Sequence, residues 1–119
     1  MEKKRQIMVT LQVEGLHKWK EAETVCPKSA FLSRSHRHIF HIKAIKRVNH
    51  NERDVEFLEF KRRIESFIMN EYPRYRNDIR VVNFGKRSCE TIAEELLNQF
   101  GLDLCEVSED NECGSIISI

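Results

Sequence analysis

Closely spaced cysteine pairs are missing from this sequence. The four cysteines, at positions 26, 89, 105 and 113, form no Cys-x-x-Cys pair, which excludes a zinc knuckle and a thioredoxin-like motif. The chain also lacks the apolar core of a signal peptide and any apolar run long enough to cross a bilayer. We therefore expect reduced thiols in a cytoplasmic protein that has no membrane partner.

An excess of charge of one sign is also missing, because 20 lysines and arginines face 19 aspartates and glutamates. That balance gives no general electrostatic footprint for nucleic acid, so we expect no nucleic-acid partner. Apolar residues make up 40% of the 119 residues and charged residues 33%. These values predict one globular domain over residues 1–119.

Alternation of apolar and polar residues predicts two strands in the first half of the chain. Gln6–Val13 alternates with period two and is rich in β-branched residues, and His36–Arg47 alternates again. Between these strands Val25–Ser35 has no clear period, and Pro27 argues against regular structure there.

Helical spacing appears in the second half of the chain. Apolar residues from Phe57 onward recur at intervals of three and four, which predicts a helix. A second helix is predicted over Cys89–Phe100, with Ser88 as its N-cap and Gly101 just past its end.

Short extended segments complete the pattern. Leu104–Ser108 and Ser115–Ile119 read as two closing strands, and a short extended piece is expected at Ile79–Val82 within a loop. The order strand, strand, helix, helix, strand, strand predicts an α+β fold with a four-stranded antiparallel sheet and two helices on one face.

Three histidines suggest a metal site. His36 and His38 lie two residues apart on a predicted strand, so they share a face, whereas His41 points the other way. His17 follows the first strand, and a hairpin between the two strands would bring it near His36. Three imidazoles leave one open position on a tetrahedral zinc ion, as in a catalytic site. Alternatively, His36 and His38 are surface residues among arginines.

Five short motifs, in order along the chain, resemble those of the 6-pyruvoyl/6-carboxy-tetrahydropterin synthase family. Val13–His17 takes the place of Phe-x-x-x-His, and His36–Phe40 that of His-Gly-His-x-Tyr. Glu56–Lys61 resembles Asp-Phe-x-x-Leu-Lys, and Ser88–Ala93 resembles Thr-x-Glu-Asn-hydrophobic-Ala. Glu109-Asp110 stands in place of a Glu-Thr pair. The resemblance spans about residues 7–118.

The resemblance implies a fold, a cofactor and a ligand. The fold would be the T-fold, whose subunits form a ring-shaped homo-oligomer such as a hexamer, with active sites between subunits. The metal would be Zn²⁺ held by three histidines (His17, His36 and His38). The ligand would be a pterin or a guanine-like small molecule, with its ring gripped by Glu109 and the pocket lined by the backbone of Cys89 and Glu90.

The match fails at the family's catalytic cysteine and at its Asp-His pair. Cys26 is the nearest upstream cysteine to the paired histidines, but its spacing differs from the family's. No histidine follows His50, so a substitute base would have to be sought among Cys26, Cys89, Glu14 and Asp78.

Three hypotheses about function therefore stay open. The protein could be a zinc-dependent carbon–oxygen lyase acting on 7,8-dihydroneopterin triphosphate, as in tetrahydropterin or queuosine-precursor synthesis. It could instead be a zinc-containing protein that binds a pterin or purine nucleotide and lacks the lyase activity. A plain interaction module without metal is the third hypothesis.

Overall fold

The computed structural model describes residues 1–76 and 80–119. Within these ranges the chain forms five strands, three α-helices and one 3-10 helix. In chain order they are β1 (Arg5–His17), α1 (Ala22–Val25), the 3-10 helix (Pro27–Ser33), β2 (His36–Val48), α2 (Phe57–Glu71), β3 (Val82–Gly85), α3 (Cys89–Phe100), β4 (Leu104–Glu109) and β5 (Cys113–Ser118).

The strands form one mixed sheet in the order β3-β1-β2-β4-β5. The α+β class is as predicted, but the four-stranded antiparallel sheet was wrong because β3 adds a fifth strand that runs parallel to β1. The prediction at Ile79–Val82 overlaps β3 only at Val82, and Ile79 lies outside the described residues. With only four residues, β3 is too short for its alternation to stand out in the sequence.

The connection between β1 and β2 is more regular than predicted. It contains α1 and the 3-10 helix, although Pro27 argued against regular structure there. Pro27 stands in the first turn of the 3-10 helix, where a missing N–H costs no internal hydrogen bond. Strand β1 also continues past Val13 to His17, so the first histidine lies within the strand and not in the loop after it.

Each long helix begins at a side-chain cap. The Glu56 carboxylate accepts hydrogen bonds from the backbone N–H groups of Leu58 and Glu59 at the start of α2. The Ser88 hydroxyl accepts from the N–H of Thr91, 3.1 Å away, at the start of α3. Gly101 ends α3 with φ of 61°, a left-handed conformation that glycine adopts without steric cost. The sequence prediction for α3 is therefore confirmed at both ends.

The core lies between one face of the sheet and the two long helices. Alternate residues of β1, β2 and β4 point into it, and α2 and α3 add Phe60, Ile64, Ile68, Ile92, Ala93 and Leu96 to the same cluster. Both long helices therefore pack on the same face of the sheet. None of the described helices has the length and apolar character needed to cross a bilayer.

Candidate metal centre

The antiparallel pairing of β1 and β2 brings the three histidines together. His17 pairs directly with His36, and His38 pairs with Gly15 two residues further along. All three side chains lie on the face that carries Val13 and the core, because residues two apart in a strand share a face. Each histidine offers a ring nitrogen, and these nitrogens lie within 4.8 Å of one another. The group of His17, His36 and His38 could therefore hold a metal ion.

The other ring nitrogen of each histidine is already hydrogen-bonded. The Nδ1 atom of His17 lies 2.9 Å from the carbonyl oxygen of Arg87. In His36 the Nδ1 atom lies 2.8 Å from the carbonyl oxygen of Arg34. In His38 it lies 2.7 Å from the Oδ2 atom of Asp110. Since an oxygen acceptor beside Nδ1 requires the hydrogen there, each neutral imidazole keeps its Nε2 lone pair free.

Two of these free nitrogens are buried without a hydrogen-bond partner. Among the described residues, the Nε2 atoms of His17 and His38 are both enclosed and both unsatisfied. A buried polar atom without a partner is costly and calls for an ion or a ligand. Oriented imidazoles whose outer nitrogens bind carbonyl or carboxylate oxygens are the usual surroundings of a metal-binding histidine. The donor set therefore fits a metal ion.

His17 lies deepest of the three, at 7% exposure. Burial lowers the pKa of His17, and the neighbouring His36 and His38 lower it further. The Arg87 carbonyl and the charge of Glu109 raise this pKa, but the net shift remains downward. The imidazole of His17 is therefore neutral at pH 7, as a metal ligand must be.

An acidic pair closes the centre on the side of β4. Glu109 is the last residue of β4 and pairs with Phe40 of β2, so its side chain lies on the histidine face. Its carboxylate oxygens lie 2.9 Å from the Nε2 atom of His17 and 3.4 Å from that of His38. The next residue, Asp110, accepts from His38 and also from the backbone N–H of Ile39. Asp110 therefore fixes the orientation of the His38 ring.

A cavity of about 560 Å³ adjoins the histidines. His17 and His36 line it, together with the three residues predicted to bind substrate, Cys89, Glu90 and Glu109. The Cys89 thiol lies 3.8 Å from the Glu109 carboxylate. Burial first, and then the charge of Glu109, raises the pKa of Cys89 to about 12, so the thiol is protonated at neutral pH.

The remaining candidates lie away from this cavity or outside the described residues. Cys26, predicted as a catalytic residue, is half-buried at the end of α1 and does not line the cavity. Glu14 points to the opposite face of the sheet, where it pairs with Arg37. His41 also lies on that face, as expected, and His50 lies in a bend after β2, beside Asp54. Asp78, a candidate base, falls outside the described residues.

Sequence reasoning missed the groups that orient the histidines. The carbonyl groups of Arg34 and Arg87 leave no signal in a sequence, since every residue has one. Asp110 could have been found, because it adjoins Glu109, a residue predicted to bind substrate, and carboxylates are common partners for histidine Nδ1. Trp19 also lines the cavity.

Comparison with known proteins supports the fold alone. No family model matches the chain, and no curated protein matches it. Among solved structures, it is similar to the crystal structure of an uncharacterized protein from Wolinella succinogenes, with a TM-score of 0.56 and 13% sequence identity. The similarity covers 98% of this chain and 99% of the other. At this identity the similarity supports the α+β architecture and carries no information on activity.

Proposed function

We propose that this protein is a zinc-dependent carbon–oxygen lyase of the 6-pyruvoyl/6-carboxy-tetrahydropterin synthase type, acting on 7,8-dihydroneopterin triphosphate. The observation that carries the proposal is the convergence of three imidazoles beside a cavity, each with an oxygen within hydrogen-bond distance of its Nδ1 atom. Three neutral imidazoles suit Zn²⁺. When bound, zinc would supply Lewis-acid polarisation of a substrate oxygen.

The cavity offers complementary groups for a pterin triphosphate. Its volume of about 560 Å³ is typical of a small-molecule site. The Glu109 carboxylate can accept two parallel N–H donors, which the 2-amino edge of a pterin presents. Trp19, at 39% exposure, lines the same cavity and supplies an aromatic face for stacking. Lys18 and Lys86 also line it, and their ammonium groups suit phosphate.

The proposal extends to assembly and compartment. We infer a ring-shaped homo-oligomer, in keeping with the family resemblance. Met8 and Ile116 support it, because each is 58% exposed on the sheet face that the helices leave uncovered and exposed apolar residues on one face favour association. The four cysteines are free thiols, which supports the proposal of a reducing, cytoplasmic location.

A second candidate function follows from the protonation of Cys89. Lyase chemistry of this kind needs a base within hydrogen-bond reach of the substrate. The thiol of Cys89 is protonated, both imidazoles that line the described part of the cavity belong to the metal group, and the Glu90 carboxylate accepts a hydrogen bond from Ser115. The alternative is therefore a zinc-containing protein that binds a pterin or purine nucleotide and has lost the lyase activity.

Metal content tests the site itself. We expect the purified protein to carry about one zinc per chain, as one three-histidine site requires. His36→Ala should remove most of it, whereas His41→Ala, on the opposite face of the same strand, should leave it unchanged. Elemental analysis after dialysis measures both. Equal zinc in the three proteins would refute the site and favour the interaction module.

Substrate turnover separates the two candidates. The zinc-loaded protein is incubated with 7,8-dihydroneopterin triphosphate, and released triphosphate is measured beside the fluorescence of Trp19, the only tryptophan in the chain. Release that His36→Ala abolishes supports the lyase. Fluorescence quenching without release supports the binding protein, with Trp19→Phe as the control for the signal. If neither occurs, both pterin hypotheses fail.

A further inference from the structure

The carboxylate of Glu109 occupies an unusual position. Its two oxygens lie 2.9 Å and 3.4 Å from the buried Nε2 atoms of His17 and His38. Neither contact is a hydrogen bond, since both nitrogens lack such a partner among the described residues. The carboxylate is therefore close to two imidazoles without a hydrogen bond to either.

The electrostatics of that arrangement favour a positive charge between the imidazoles and the carboxylate. The Nδ1 hydrogens of both rings point away, to the Arg87 carbonyl and to Asp110. Each Nε2 atom then presents a lone pair toward the centre that the carboxylate also faces, and lone pairs repel carboxylate oxygens. A cation between them turns that repulsion into attraction.

The distances are those of neighbouring ligands on one metal ion. With metal–nitrogen and metal–oxygen bonds of about 2.0–2.2 Å in a tetrahedral shell, adjacent ligand atoms lie about 3.3 Å apart. The two Glu109 contacts, at 2.9 Å and 3.4 Å, bracket this value. The main chain holds the carboxylate there, because Glu109 ends β4 in register with Phe40, which contacts both imidazole rings.

We propose that Glu109 is the fourth ligand of the metal, so that the protein without substrate has a closed shell of three histidines and one glutamate. This inference rests on the metal site of the proposed function. It also adds a step to ligand binding. A small molecule whose N–H edge binds the Glu109 carboxylate would have to displace that carboxylate from the metal. Binding of the ring would therefore open the metal's coordination shell.

The test uses Co²⁺ in place of zinc, because its visible absorption reports the number and type of ligands. Full-length wild-type protein is compared with Glu109→Gln, which keeps the size of the side chain and removes the charge. Glu112→Gln, an exposed acid three residues further along, is the matched control. We expect Glu109→Gln to change the Co²⁺ spectrum and to weaken zinc binding about 10-fold or more in a competition with a chelator.

The outcomes distinguish this inference from the site on which it rests. If Glu109→Gln weakens binding but leaves the Co²⁺ spectrum unchanged, Glu109 acts only through its charge and the inference is overturned. Identical spectra and identical affinities overturn it equally, while the three-histidine site stands. If wild-type protein binds neither metal, the proposed function fails as well. Should Glu109→Gln not fold, Glu109→Asp, which withdraws the carboxylate by one methylene, should also alter the spectrum.

Discussion

The hairpin of β1 and β2 has two ends that follow one pattern and have opposite chemistry. At one end Val9, Leu11 and Val13 pair with Ala44, Ile42 and Phe40, and both helices cover them. At the other end His17 pairs with His36 on the same face, beside an open cavity.

The buried apolar end of this hairpin explains why the histidine end is rigid. The alternation that buries apolar residues continues for two more pairs and there presents imidazoles. Phe40 joins the two ends, since its ring centroid lies 5.1 Å from that of His17 and 5.0 Å from that of Phe84. The histidines are therefore held by strands that the core already fixes, as a preorganised metal site requires.

Phe40→Ala should have the largest effect on stability. Phe40 is fully buried in the covered end, so its truncation should lower the free energy of unfolding by about 3–5 kcal/mol. Chemical denaturation with a chelator present measures this without a contribution from metal. Ile39→Ala, on the opposite and partly exposed face, is the control and should cost clearly less. Equal losses would mean that the two faces do not differ as described.

Gly15→Ala tests the junction between the two ends. A Cβ atom at Gly15 would lie 2.8 Å from Cε2 of Phe84 and 3.1 Å from Cδ2 of Phe40. Overpacking of this kind should destabilise the protein by about 1–3 kcal/mol. Adding Phe84→Leu should recover part of the loss, which a double-mutant cycle detects. If the two losses of unfolding free energy are fully additive, the close contact at Gly15 is relieved by residues other than Phe84.

Asp110→Asn should have the smallest effect on stability and should mainly weaken metal binding at the histidine end of the hairpin. Asparagine tolerates the left-handed backbone of position 110, where φ is 55°. Its single amide oxygen cannot replace both acceptors that serve His38 and Ile39. Zinc affinity should fall about 10- to 100-fold, measured by chelator competition, with little change in zinc-free stability. Unchanged affinity would remove Asp110 from the positioning of His38.

Some features of the fold could be predicted because they depend on local periodicity. The faces of β1 and β2 and both caps of α3 follow from side-chain spacing and from the residues at positions 88 and 101. Strand β3 was missed, since four residues carry too little pattern, and the regular turns between Ala22 and Ser33 were missed because helices this short have no periodicity.

The candidate site likewise has one part that could be predicted from the sequence and one part that could not. The pairing of His17 with His36 could be anticipated, because the strands are consecutive and period two is invariant. The position of Glu109 against two imidazoles could not be anticipated. It depends on the register between β2 and β4, in which Phe40 pairs with Glu109, 69 residues further along the chain.

By itself, the sequence determined which residues share a face and which side chains can bind a metal, because both depend on spacing along one strand and on side-chain chemistry. Only the tertiary structure decided that the Nδ1 atoms of His17 and His38 meet oxygens of Arg87 and Asp110, far away in the chain, and that a carboxylate faces the free Nε2 atoms. The physical reason is that hydrogen-bond partners far apart in the chain are selected by strand register and packing, which no local pattern encodes.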